Sequence, residues 1–153
     1  MSEVQTSLRH SGTGRRAAVV RVDFEGTSPV SVASGKYVLV IASERQTVPL
    51  GMIAARAWID AGASYICAWG PDSAEVEETF DYASFLPECG DPLSFTLMTT
   101  SHRDKTPDEA LWFAFYNARS PDDLKHDLNA VVIVVDSDAL WSTCTAWVKE
   151  NNE

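Results

Sequence analysis

Apolar and polar positions along the chain follow two periods that alternate. From 17 to 24 the period is two, with Ala18, Val20, Val22 and Phe24 on one side and Ala17, Val19, Arg21 and Asp23 on the other. That is a strand, and its half-charged second face places it at a sheet edge. Tyr37–Ala42 and Ala130–Val135 are apolar on both faces, as strands covered by helices on either side must be. Ser64–Trp69 and Leu93–Thr100 complete the strand candidates, and Glu25–Gly35 reads as a connecting loop.

Helical periods fall between these strands. After Pro49, Leu50, Ile53, Ala54, Ala57, Trp58 and Ala61 share one stripe, and Gly62 closes it. Asp72 with Glu75 has capping-box spacing, followed by an inner stripe of Val76, Phe80 and Ala83 and a stop at Pro87. Thr106-Pro107-Asp108-Glu109 supplies a cap, a first-turn proline and acids suited to the positive end of a helix dipole. The helix it opens, Ala110–Arg119, is apolar nearly all round. Ser120-Pro121-Asp122-Asp123 begins a further short turn. Asp138–Lys149 forms the last helix on Leu140, Trp141, Cys144, Trp147 and Val148.

Strands alternating with helices predict right-handed crossovers. The expected fold is therefore a three-layer α/β/α domain, doubly wound on a mostly parallel sheet of about five strands, Rossmann-like or flavodoxin-like. Its N-terminal strand is expected at an edge. Residues 1–15 are polar and aperiodic and read as a flexible N-terminal tail, with 16–153 as a single α/β domain.

Composition narrows this picture. The apolar runs are too short to cross a bilayer, and no basic-apolar-small leader opens the chain, so a cytoplasmic protein without membrane contact is expected. Cys67, Cys89 and Cys144 are odd in number and widely spaced, which disfavours a disulfide framework or structural zinc. Cys67 and Cys144 fall in predicted core elements; Cys89 lies in a loop.

Charge changes it further. The net charge is −10, yet residues 1–36 carry a balance of +2, leaving −12 on the remainder. Between Arg56 and Arg103 there is no lysine or arginine, while Asp60, Asp72, Glu75, Glu77, Glu78, Asp81, Glu88 and Asp91 all lie there. Such a field repels phosphate backbones and attracts cationic surfaces. Direct nucleic-acid binding through this region is excluded, and a basic protein partner is expected on Glu75, Glu77, Glu78 and Asp81. The aromatic helix around Trp112 is the expected surface for any homo-oligomer.

Ligands of open parallel sheets bind beyond the carboxyl ends of the strands. Those ends offer Glu44 and Arg45, then Asp72, then Ser101, His102, Arg103 and Asp104, then Asp136 and Asp138. His102 is the best catalytic candidate, because its pKa lies near neutrality. Arg45 and Arg103 suit a carboxylate or phosphate, and Asp72, Asp104, Asp136 and Asp138 are hard oxygen donors. Helix capping accounts for Asp72 and Asp136 equally well. No phosphate loop, dinucleotide fingerprint or nucleophile elbow occurs, and no cofactor is specified. The sequence thus leads to a non-catalytic binding or regulatory module, of accessory or immunity type, that meets a basic protein through its acidic surface. The alternative is a small-ligand enzyme or sensor for nucleotides or phosphate esters, with its site at the strand ends.

Overall fold

The computed structural model describes residues 3–4, 8–9, 13–25, 35–120 and 127–151. Five strands run parallel: β1 (Arg16–Arg21), β2 (Tyr37–Ala42), β3 (Ala63–Trp69), β4 (Met98–His102) and β5 (Ala130–Val135). They lie in the order β1-β5-β2-β3-β4, with β1 outermost among the parallel strands. Two short segments, Glu3–Val4 and Leu8–Arg9, pair antiparallel with β1 from its outer side. The rest of the expected tail up to residue 12 lies outside the described residues, as do 26–34 of the expected loop and 121–126, which hold most of the expected turn after Ser120.

The helices are α1 (Met52–Asp60), α2 (Ser73–Phe85), α3 (Pro107–Tyr116) and α4 (Asp138–Glu150). Two separate cores show how they are layered. Trp58 and Ile59 of α1 and Val76 and Phe80 of α2 pack with Leu39, Ile41, Ile66 and Val132 on one side of the sheet. Leu111 and Phe115 of α3 and Leu140 and Trp147 of α4 pack with Val38, Val40, Cys67 and Ile133 on the other. Every residue of β2 and β5 is buried, which is why those two segments can be apolar on both faces. The fold is a three-layer α/β/α sandwich, doubly wound as its hydrophobic pattern predicts.

Two local expectations are corrected. The strand expected at Leu93–Thr100 pairs only from Met98 to His102. Upstream, Phe95 is buried in the α1–α2 core, and Leu93 and Leu97 pack against it from an irregular segment. Apolar alternation there reports burial rather than strand pairing. The capping box of Asp72 and Glu75 does not form, because the Asp72 carboxylate instead accepts from the Val48 N–H at 2.7 Å. The box at Thr106 does form. Its hydroxyl accepts from the Glu109 N–H, and the Glu109 carboxylate accepts from the Thr106 N–H, both at 3.2 Å.

Arginines finish two helices that have no basic residue in their last turns. Arg15 donates to the carbonyls of Ala114, Phe115 and Ala118 at the end of α3, at 2.7–3.1 Å. Burial, then the nearby Arg119 charge, lowers its pKa. Arg56 donates to the Ala83 carbonyl in the last turn of α2. Carbonyls at a helix C-terminus have no intrahelical partner, so a guanidinium satisfies them and opposes the dipole together.

Candidate functional site

The strand order creates a crevice. From β2 the chain moves outward through α1, β3, α2 and β4 on one face, then returns through α3 on the other to insert β5 between β1 and β2. The chain therefore leaves β2 and β5 toward opposite faces, and a gap opens between their carboxyl ends. Arg21, Val22, Asp23, Arg45 and Asp136 line a cleft of about 330 Å³ there. The buried Ser43 hydroxyl ties two of these residues together, donating to Asp136 Oδ2 at 2.7 Å and accepting from the Arg45 N–H at 3.2 Å. Arg21 at the end of β1 forms an ion pair with Asp138 at 3.0 Å. Ser137 is committed elsewhere, capping α4 by accepting from the Leu140 N–H.

A second group sits at the far end of the same carboxyl edge. The His102 ring packs against Phe113 with centroids 4.7 Å apart, and its Nε2 is hydrogen-bonded to Thr100 Oγ1 at 2.9 Å. Burial, then the Lys105 charge, lowers the His102 pKa and so disfavours the charged ring. Trp69 Nε1 donates to the Lys105 carbonyl at 2.6 Å and closes the turn beyond His102.

The acidic residues of α2 lie along the outer edge. Glu75 and Glu78 are exposed, whereas Glu77 and Asp81 are half-buried against β4. The Thr99 hydroxyl donates to Asp81 Oδ1 at 2.7 Å, and Glu77 has hydrogen-bonding contact with the Thr99 and Ser101 side chains. Burial first, and the Asp81 charge second, push the Glu77 carboxyl above its ordinary value. Thr99 and Ser101 therefore face α2, and Thr100 and His102 face α3, the alternation of a strand.

A family described as a domain of unknown function, DUF7684, matches residues 18–151. The chain belongs to the DUF7684 family. No curated protein and no solved structure matches it. The DUF7684 match runs from inside β1 to just past α4, so it takes in the crevice, the acidic helix and the outer edge together. Both short antiparallel segments and Arg15 fall before it.

Within this DUF7684 domain the predicted ligand residues divide into groups. Arg45 and Asp136 share the crevice, and Asp138 reaches it through Arg21. Glu44 is exposed on the loop after β2. Asp72 is spent on the Val48 N–H. Ser101, His102, Arg103 and Asp104 stand at β4, three strand spacings from β5 and hence roughly 14 Å away. Asp72, Asp136 and Asp138 each have a different partner, and among the described residues no three acidic, histidine or cysteine side chains gather as a metal site.

Arg21 and Asp23 are crevice residues that the candidate list lacks. Arg21 and Asp23 look like surface charges on an edge strand until β5 is known to lie beside them. The Cys67 and Cys144 thiols are buried, and burial pushes both up to about 12. Neither is available as a nucleophile at neutral pH. Trp112, 51% exposed, stacks on Tyr116 at 5.1 Å on the outer side of α3. Among the described residues, no helix is long and apolar enough to cross a membrane.

Proposed function

We propose that this DUF7684 protein is a non-catalytic binding module that receives a basic protein partner on its acidic outer face. One observation carries the reading: Glu75, Glu77, Glu78 and Asp81 form a band along α2 beside β4, with no lysine or arginine between Arg56 and Arg103 in sequence. Within that band burial first, and then repulsion from the Asp81 charge, hold the Glu77 carboxyl up. A cationic partner would relieve that repulsion, and the net charge of −10 would steer it in from beyond contact distance. Screening confines the steering to about 8 Å at physiological salt, so the contact itself must supply the affinity.

Replacing all four acids by lysine tests the reading. Affinity capture from cells that make the protein should retain a basic protein on the wild type and lose it on the quadruple variant. Because Asp81 also bonds Thr99, the pair Glu75→Lys with Glu78→Lys provides a second variant confined to exposed positions. It should weaken capture while melting within a few degrees of wild type, since exposed substitutions cost within about 0.5 kcal/mol. Equal retention by all three proteins would refute an acidic docking face.

A second reading is favoured by the crevice. Arg21 and Arg45 line one small cleft at the point where the strand order reverses, the position at which doubly wound sheets hold ligands. Two guanidinium groups there would suit the anionic part of a nucleotide or phosphate ester, serving a small-ligand enzyme or sensor. A thermal-shift panel of nucleotides and phosphate esters separates this from the first reading. A ligand at a hundredfold over its Kd stabilises by about 2.7 kcal/mol, which moves the melting point by several degrees. The shift should vanish in Arg45→Ala and survive in His102→Ala. A flat panel would retire the crevice as a site for these ligands.

A further inference from the structure

Sheet edges carry unpaired N–H and C=O groups that template another strand, and proteins usually blunt them with lysine, proline, a bulge or a covering segment. The two edges of this sheet are treated differently. On one, β1 is covered by the antiparallel segments Glu3–Val4 and Leu8–Arg9. On the other, β4 pairs only with β3 among the described residues, in a continuous register from Met98 to His102. Met-Thr-Thr-Ser-His contains no lysine and no proline, and both Met98 and Ser101 are exposed.

The surroundings of this edge select what could pair with it. Glu77 and Asp81 stand over its α2-facing positions, Thr99 and Ser101. Just upstream, Leu97 joins Phe85, Leu93 and Phe95 around a cleft of about 460 Å³, and Phe85 is 62% exposed. An extended segment laid on β4 would therefore meet acids along one row of its side chains and an apolar cavity near the start of the strand.

We propose that β4 is a docking edge to which an extended, basic segment of a partner protein adds as the next strand. This rests on the acidic-face reading and states how that face engages its partner. Main-chain hydrogen bonds would supply affinity, and alternate side chains would supply specificity. Lysine or arginine at every second position would lie toward Glu77 and Asp81, with an apolar residue at one end for the Leu97 cavity. Charge argues against a second copy of this chain as the occupant. Antiparallel pairing of two β4 edges turns on a two-fold axis perpendicular to the sheet, which sets the two acidic α2 helices side by side on one face. Like charges facing each other in this way are destabilising.

The test uses a fluorescent acetyl-Val-Lys-Val-Lys-Val-Lys-Val-amide peptide and the full chain, with anisotropy read at physiological salt. Its counterpart with glutamate for lysine should not bind. Two further peptides carry backbone N-methyl groups, one on the valines and one on the lysines. Strand addition requires that one of them lose affinity by about tenfold or more and the other far less, because alternate N–H groups point to opposite sides of a strand. Backbone amides of Met98–His102 should exchange more slowly with the parent peptide bound. Equal binding by both N-methylated peptides would overturn strand addition while leaving the acidic face in place. No binding by the lysine peptide would also overturn it, and the charge-reversal captures would then decide the acidic face separately. A concentration-dependent dimer that protects the β4 amides without peptide would assign the edge to a second copy and overturn the proposal.

Discussion

Gly70→Ala is expected to destabilise the domain by roughly 3 kcal/mol or more, the combined scale of a strained backbone angle and an overpacked contact. Gly70 follows β3 with φ at +118°, where side chains are rarely tolerated. A Cβ built there would lie 1.9 Å from the Ser43 carbonyl oxygen and 3.1 Å from its carbon. Both contacts are to backbone, so no rotamer change relieves them. Ser43 cannot withdraw freely either, because its hydroxyl bonds Asp136 and its N–H donates to the Trp69 carbonyl. The substitution should therefore lower the melting temperature by roughly 6 °C or more, given about 2–4 °C per kcal/mol at this chain length. Gly14→Ala is the control. Gly14 also has positive φ, at +71°, but nothing lies within 4 Å of its Cβ position. It should lose only the backbone part, about 1 kcal/mol. Calorimetric melting of both variants decides the matter, and equal losses would show that the Ser43 contact adds nothing.

That contact also marks what sequence could and could not reveal. Segments whose fate is set locally were legible. Val131–Val135 is apolar on both faces because helices cover both, and Thr106-Pro107-Asp108-Glu109 carries every group of its own cap. Features set by distant partners were not. Asp72 has capping-box spacing, yet the Val48 N–H, 24 residues away, takes its carboxylate. Phe95 alternates with Leu93 and Leu97 as in a strand, yet all three serve the α1–α2 core from a segment that pairs with nothing in the sheet. The candidate site suffered in the same way. That the strand ends share one edge follows from parallel strands. Which ends are neighbours depends on β5 inserting between β1 and β2, and no local pattern encodes that. Hence Arg45 and Asp136 do share a cleft, His102 stands apart from them, and Arg21 enters only once its neighbour is known.

Arg56→Ala is expected to cost about 3 kcal/mol, from carbonyls left unpaired in the interior and the packing of a buried side chain. Arg56 is only 6% exposed, although it carries a full charge. Its Nη1 donates to the Ala83 carbonyl at 3.2 Å, its Nη2 donates to the Asp91 carbonyl, and its Nε meets Asp60 at 3.0 Å. One planar fork thus holds α1, the end of α2 and the segment leading toward β4. Lysine could not reproduce three divergent bonds, so Arg56→Lys should recover little of the loss. The ion pair is the lesser part. Asp60 is 60% exposed, and Asp60→Asn should cost under about 1 kcal/mol, as exposed pairs do. Denaturant unfolding of the three variants separates the contributions. A loss in Asp60→Asn equal to that in Arg56→Ala would mean that the charge pair, not the carbonyl bonds, secures this corner. If the carbonyl bonds secure it, Arg56→Ala should also speed amide exchange across Cys89–Asp91 before global unfolding. It should weaken the basic peptide as well, because Gly90 and Asp91 line the apolar cavity beside β4 that this arginine holds in place.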